Sequence, residues 1–162
     1  MKITIYTDGS SRGNPGRGGW GAIITTPEEV IELGGREDVT TNNRMELMAA
    51  IQGLKEVGPD VKEVEVYTDS EYVRNGISTW VIGWVKNGWK TANKKQVLNQ
   101  DLWQTLLQEE ERLKNAGVKI VWKYVRGHSG VPLNERADVI ATMCADASDL
   151  QLYRGVKEGY VI

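Results

Sequence analysis

The chain has 162 residues, 40% of them hydrophobic, and a formal net charge of −2. That length fits one domain able to bury about two-thirds of its unfolded surface, and the charge balance argues against a uniformly basic nucleic-acid coat. One cysteine, Cys144, and one histidine, His128, argue against a disulfide framework and against zinc on nitrogen and sulfur ligands, so any metal is expected to be a hard cation on carboxylates.

Residues 2–8 alternate as a strand that delivers Asp8 to its end. A glycine loop is expected over 9–19, then strands over 20–26 and 30–35, together an antiparallel meander. The polar cluster Thr40-Thr41-Asn42-Asn43 suits a helix start, and Leu47, Met48, Ile51 and Leu54 carry the helical spacing up to the stop at Gly58-Pro59. A fourth strand, 63–69, follows through a right-handed crossover and ends on Asp69. Ser70 is expected to cap a short helix that breaks at Gly76, with a second short helix from Ser78 to Val85. The segment WVKNGWKTANKKQ reads as a protruding loop.

Asn99 or Asp101 opens a helix that ends near Gly117, and Val118, Ile120 and Trp122 alternate in a fifth strand. Gly127-His128-Ser129-Gly130 reads as a loop, and Asn134 as the start of the last helix. Residues 147–162 have no periodicity and read as a loosely docked extension. The expected fold is α/β: a five-stranded mixed sheet with helices on both faces, in a domain over 1–146 with an extension over 147–162. No apolar run approaches the ~20 residues of a membrane span, and no signal-peptide pattern is present, so a cytoplasmic monomer is expected.

Tyr-Thr-Asp occurs twice, at 6–8 and 67–69, each time after a β-branched run. If the two strands are parallel neighbours, Asp8 and Asp69 meet at their carboxyl ends, where open α/β sheets place their sites; the competing reading is two ordinary turn residues. Glu46 is either the acid of a capping box begun at Asn43 or a third site carboxylate. Asp138 is either a solvated first-turn acid or a fourth. Four carboxylates at one point cannot all stay ionised without a cation, and such a cluster suits a pair of Mg²⁺ ions about 4 Å apart. His128 reads either as a surface loop residue or as a mobile proton carrier beside the metals.

Gly16-Arg17-Gly18-Gly19-Trp20-Gly21 matches G-x-G-x-x-G but precedes a strand, so the dinucleotide reading fails its context; the glycines are expected to let backbone amides approach a ligand. From Tyr72 to Gln100 there is no Asp or Glu, while Arg74, Lys86, Lys90, Lys94 and Lys95 supply +5, which leaves −7 for the remainder. Trp80, Trp84 and Trp89 interleave with these lysines. Aromatic platforms with lysines hold nucleic-acid backbones, although Trp80 and Trp84, four apart, also fit a packed helix face.

The motifs TDGS-x-x-GNPG at 7–16, TTNNRMELMA at 40–49, YTDS at 67–70, GW-x-x-GWKT at 83–91 and GHSG with NERAD at 127–138 resemble type 1 ribonuclease H of the bacterial kind with a basic protrusion. The resemblance runs in register over about residues 3–145. It implies a ribonuclease H-like fold and an endonuclease that cleaves the RNA strand of RNA–DNA hybrids with two Mg²⁺ ions (or Mn²⁺ as substitute), leaving 5′-phosphate and 3′-hydroxyl ends. The family's metal-binding acids fall on Asp8, Glu46, Asp69 and Asp138, and its auxiliary histidine on His128. Its hybrid-binding residues fall on Asn14, Asn42 and Asn43 for the groove and 2′-hydroxyls, and on Thr41 and Asn99 for a DNA-strand phosphate. Trp80, Trp84, Lys86 and Lys90 match the protrusion. Val39, Ser11 and Glu71 depart from frequent Arg, Cys and Gln. A DNA-directed nuclease of the same fold and a non-catalytic hybrid-binding protein are the alternatives.

Overall fold

A computed structural model describes residues 1–126 and 130–162. Its centre is one mixed sheet in the order β5-β4-β1-β2-β3-β6. The strands are β1 (Lys2–Ser11), β2 (Gly16–Thr25), β3 (Glu29–Thr40), β4 (Glu63–Thr68), β5 (Lys119–Tyr124) and β6 (Arg154–Val156). The first three form the antiparallel meander expected, and β4 and β5 add in parallel beside β1.

Period-two alternation sorts the strand side chains between two faces. Ile3, Ile5, Val64 and Val66 enter a core with α1 (Asn42–Lys55) and α4 (Gln100–Asn115). Ile23 and Val30 enter a second core with Ala137 and Ile140 of α5 (Pro132–Ala145). Among the described residues, no helix is long and apolar enough to cross a membrane.

The structure corrects several local expectations. The glycine stretch 9–19 is mostly strand, because β1 runs on to Ser11 and β2 begins at Gly16, with only 12–15 left as the turn. Gly9, Gly18 and Gly19 pack closely against α1, β3 and α5. A Cβ on Gly19 would lie 2.8 Å from Cys144 Cβ and 2.5 Å from the Ala145 amide, so the bare backbone lets α5 lie flat on the sheet.

Gly76 does not break its helix. α2 (Glu71–Asn75), capped as expected by Ser70, continues through a π-helical turn, Gly76–Trp80, into α3 (Val81–Lys86). The missing side chain at 76 leaves room for the fully buried indole of Trp103, which a Cβ would overlap.

The last helix starts at Pro132, with Val131 as its N-cap, and not at Asn134. Pro at the first helical position donates no amide that the helix needs. The tail supplies a sixth strand where five were expected: β6 pairs antiparallel with β3, and Tyr153 and Tyr160 pack into the α5 core. Three residues of strand are too short to show an alternation in sequence.

Candidate active site

Two strands and one helix start bring the acids together. β1 and β4 are parallel, with Tyr6 opposite Tyr67. The two tyrosine rings stack at 4.8 Å and 10°, so the repeated Tyr-Thr-Asp runs are in register and Asp8 and Asp69 leave the sheet side by side. Glu46 arrives from α1, whose cap is Thr41: its hydroxyl accepts the Arg44 amide at 3.2 Å. Glu46 is therefore in the second turn and is no capping-box acid. Gly9 fixes the approach, since a Cβ there would stand 2.6 Å from the carbonyl carbon of Met45.

Carboxylate oxygens of Asp8, Glu46 and Asp69 all lie within 4.8 Å of one another. Asp8 and Glu46 are buried and Asp69 is half-buried. Burial first, then the charge of Asp69, pushes the Asp8 carboxyl up to about 8, against the pull of the Gly9 N–H donated to its Oδ1 at 2.8 Å. Burial and the charges of Asp8 and Asp69 also raise Glu46 well above the ordinary carboxylate range. Its Oε2 is buried with no hydrogen-bond partner among the described residues. An all-oxygen donor set, crowded enough to retain protons and holding one orphaned buried oxygen, fits a hard divalent cation.

Asp138, half-buried on α5, lines the same cleft of about 550 Å³ and adds its charge to the field at Asp8. It stands outside the tight group of three. His128 lies outside the described residues. Asn42 and Asn43 line the cleft, and Asn14 Oδ1 accepts the Asn42 amide at 3.3 Å, tying the β1–β2 turn to the start of α1. Thr41 and Asn99 are gathered around Arg44, whose guanidinium donates to Asn99 Oδ1 at 3.3 Å and to both oxygens of Asp101 at 2.9 and 2.7 Å.

Trp80 and Trp84 sit 5.9 Å apart on the helix that leads into the protrusion. Trp80 is 39% exposed, whereas Trp84 and Trp89 pack partly into the core. Lys86 and Lys90 are exposed. Of the departures, Val39 is exposed, Ser11 bonds the Gly13 carbonyl at 2.6 Å, and Glu71 lines the cleft.

Sequence reasoning missed Asn134. It is buried, lines the cleft, and its Oδ1 has no hydrogen-bond partner among the described residues. Its spacing was the available signal: positions 134 and 138 are i and i+4 and share one helix face.

The family model for RNase H matches residues 1–146. The chain belongs to the RNase H family. It is 52% identical to Ribonuclease H of Chromohalobacter salexigens over 145 residues, which cover 90% of this chain and 85% of that one. It is 55% identical to Ribonuclease H of Brucella anthropi over 140 residues, 86% of this chain and 87% of that one. Among solved structures, LC9-RNase H1, described as a type 1 RNase H with the type 2 active-site motif, superposes with a TM-score of 0.78 at 29% identity, covering 94% of this chain and 76% of that one. LC11-RNase H1 in complex with an RNA/DNA hybrid superposes at 0.62 and 26% identity, covering 90% and 97%. The chain is thus an RNase H-family hydrolase.

Proposed function

We propose that this chain hydrolyses the RNA strand of RNA–DNA hybrids at internal positions, leaving 5′-phosphate and 3′-hydroxyl ends. The observation that carries the reading is the convergence of Asp8, Glu46 and Asp69 within 4.8 Å, with Asp138 on the same cleft. Family membership and the hybrid-bound LC11-RNase H1 support the substrate class. Residues 1–146 are the catalytic unit and 147–162 its extension, a division supported by where the family match ends.

Asp8, Glu46, Asp69 and Asp138 are the groups that would hold two Mg²⁺ ions, or Mn²⁺ in their place. Ions bound there would neutralise the developing phosphorane charge and stabilise the attacking and leaving oxygens. Asn14, Asn42 and Asn43 hold the minor groove and test for 2′-hydroxyls, which tell RNA from DNA. Thr41 and Asn99 receive a DNA-strand phosphate. Trp80, Trp84, Lys86 and Lys90 hold the DNA strand beyond it through stacking and charge. His128 moves a proton or hastens product release.

The test is a panel of RNA–DNA, RNA–RNA and DNA–DNA duplexes, each with Mg²⁺ and with chelator. Cleavage confined to the hybrid and abolished by chelator is expected. Cutting of the DNA duplex, or chelator-resistant cutting, overturns the reading.

A further inference from the structure

Glu32 is a carboxylate on β3, outside the group of acids in the cleft, with a side chain only 1% exposed. Four donors surround it. Arg136 supplies two in a fork, Nε to Oε2 at 2.7 Å and Nη2 to Oε1 at 3.1 Å. The tail supplies the others: the Tyr153 amide to Oε1 at 3.0 Å and the Tyr160 hydroxyl to Oε2 at 2.6 Å. Each oxygen accepts two bonds, which fills the acceptor sites of an ionised carboxylate. The Glu32 amide in turn donates to the Tyr153 carbonyl at 2.7 Å.

Arg136 sits midway between Asn134 and Asp138 on α5. From Ala137 onward that helix packs closely on Gly21 and Gly19. Its first turn has no side-chain cap, since Val131 makes no cap bond. The Arg136–Glu32 fork is a bidentate anchor for this end, and half of the donors that hold Glu32 come from residues 153–160. Asp138 is also the acid that stands outside the tight group of three, so its reach into the cleft depends on where the start of α5 is held.

We propose that the tail is a positioning element for the metal site. By completing the donor set of Glu32 it holds Arg136, and through Arg136 the first turns of α5, so that Asp138 faces the cations. Glu32, Arg136 and Tyr160 are positioning residues. This inference rests on the two-cation reading above.

The test uses full-length Glu32→Gln and Tyr160→Phe, the latter removing one oxygen from a protein whose fold is checked by circular dichroism. Mg²⁺ binding is measured by titration calorimetry without substrate. Half-saturating Mg²⁺, kcat and KM are measured on an RNA–DNA hybrid. Outer-shell groups typically set metal affinity by tenfold or more, so Glu32→Gln should weaken Mg²⁺ binding about tenfold and Tyr160→Phe about threefold. KM for the hybrid should be unchanged. In an Asp138→Asn background, Glu32→Gln should cause no further loss, because both changes act through one carboxylate.

Variants that melt earlier but bind Mg²⁺ like the parent overturn the proposal. So does an equal loss in the Asp138→Asn background. A parent that neither binds Mg²⁺ nor cuts hybrids overturns the underlying reading instead, and this inference falls with it.

Discussion

Replacing Asp8 by Asn should stabilise the metal-free protein while abolishing cleavage. Burial and Asp69 raise the Asp8 carboxyl from 3.8 to about 8, so at neutral pH the folded chain takes up a proton that the unfolded chain lacks. Between 3.8 and pH 7 that uptake costs about 4 kcal/mol at 1.36 kcal/mol per unit. Asn needs no proton and does not repel Asp69, but it accepts the Gly9 amide more weakly, a loss of about 1 kcal/mol. The net gain is about 3 kcal/mol at pH 7, or roughly 6–12 °C in Tm for a chain of this size.

The sign is fixed by a folded value raised above the unfolded one. The parent's contribution from Asp8 is complete below 3.8 and is lost as pH rises through about 8. The Tm difference, measured by calorimetry in chelator, should be near zero at pH 4 and widen up to pH 8. Saturating Mg²⁺ should reverse the order, because only the parent gains binding energy. A difference that is flat with pH, or a destabilised Asn variant, would refute the account of the crowded acids. Retained hybrid affinity with lost cleavage completes the expectation.

Lys86→Ala with Lys90→Ala should weaken hybrid binding and reduce the slope of log K against log salt by about 1–2, as for one or two lost phosphate contacts; an unchanged slope removes the protrusion from the interface. Gly76→Ala should cost about 1–3 kcal/mol by overpacking against Trp103, read from urea unfolding. Because the same indole lies 5.5 Å from Trp84, hybrid affinity should fall with it. His128→Ala should slow turnover without eliminating it in steady-state assays, and complete inactivity would assign His128 a more direct part.

The sheet and its acids were legible because both rest on short-range pattern. Two alternating runs ending in Tyr-Thr-Asp specify strand, register and carboxylate together, and parallel pairing makes the rest geometry. Glu46 was visible as a candidate but ambiguous: only the cap at Thr41 and the contact at Gly9 separate a site acid from a capping acid. What stayed hidden depends on distant partners. Gly76 resembles a breaker until Trp103, 27 positions on, fills the space beside it. The glycines of β2 resemble a ligand loop until α5 is laid across them. The tail read only as a loosely docked extension, and its strand and anchor were invisible, since that anchor is one glutamate more than a hundred residues earlier.

The outer margin of β3 has a consequence beyond catalysis. A twelve-residue strand at the rim of a sheet is a template on which another polypeptide can hydrogen-bond and spread. Here β6 occupies the stretch from Glu29 to Ile31, and the open remainder carries Arg36, Glu37 and Asp38. Losing the tail's grip would therefore uncover the apolar end of that rim, where Val30 and Ile31 lie, and leave a molecule prone to self-association on concentration.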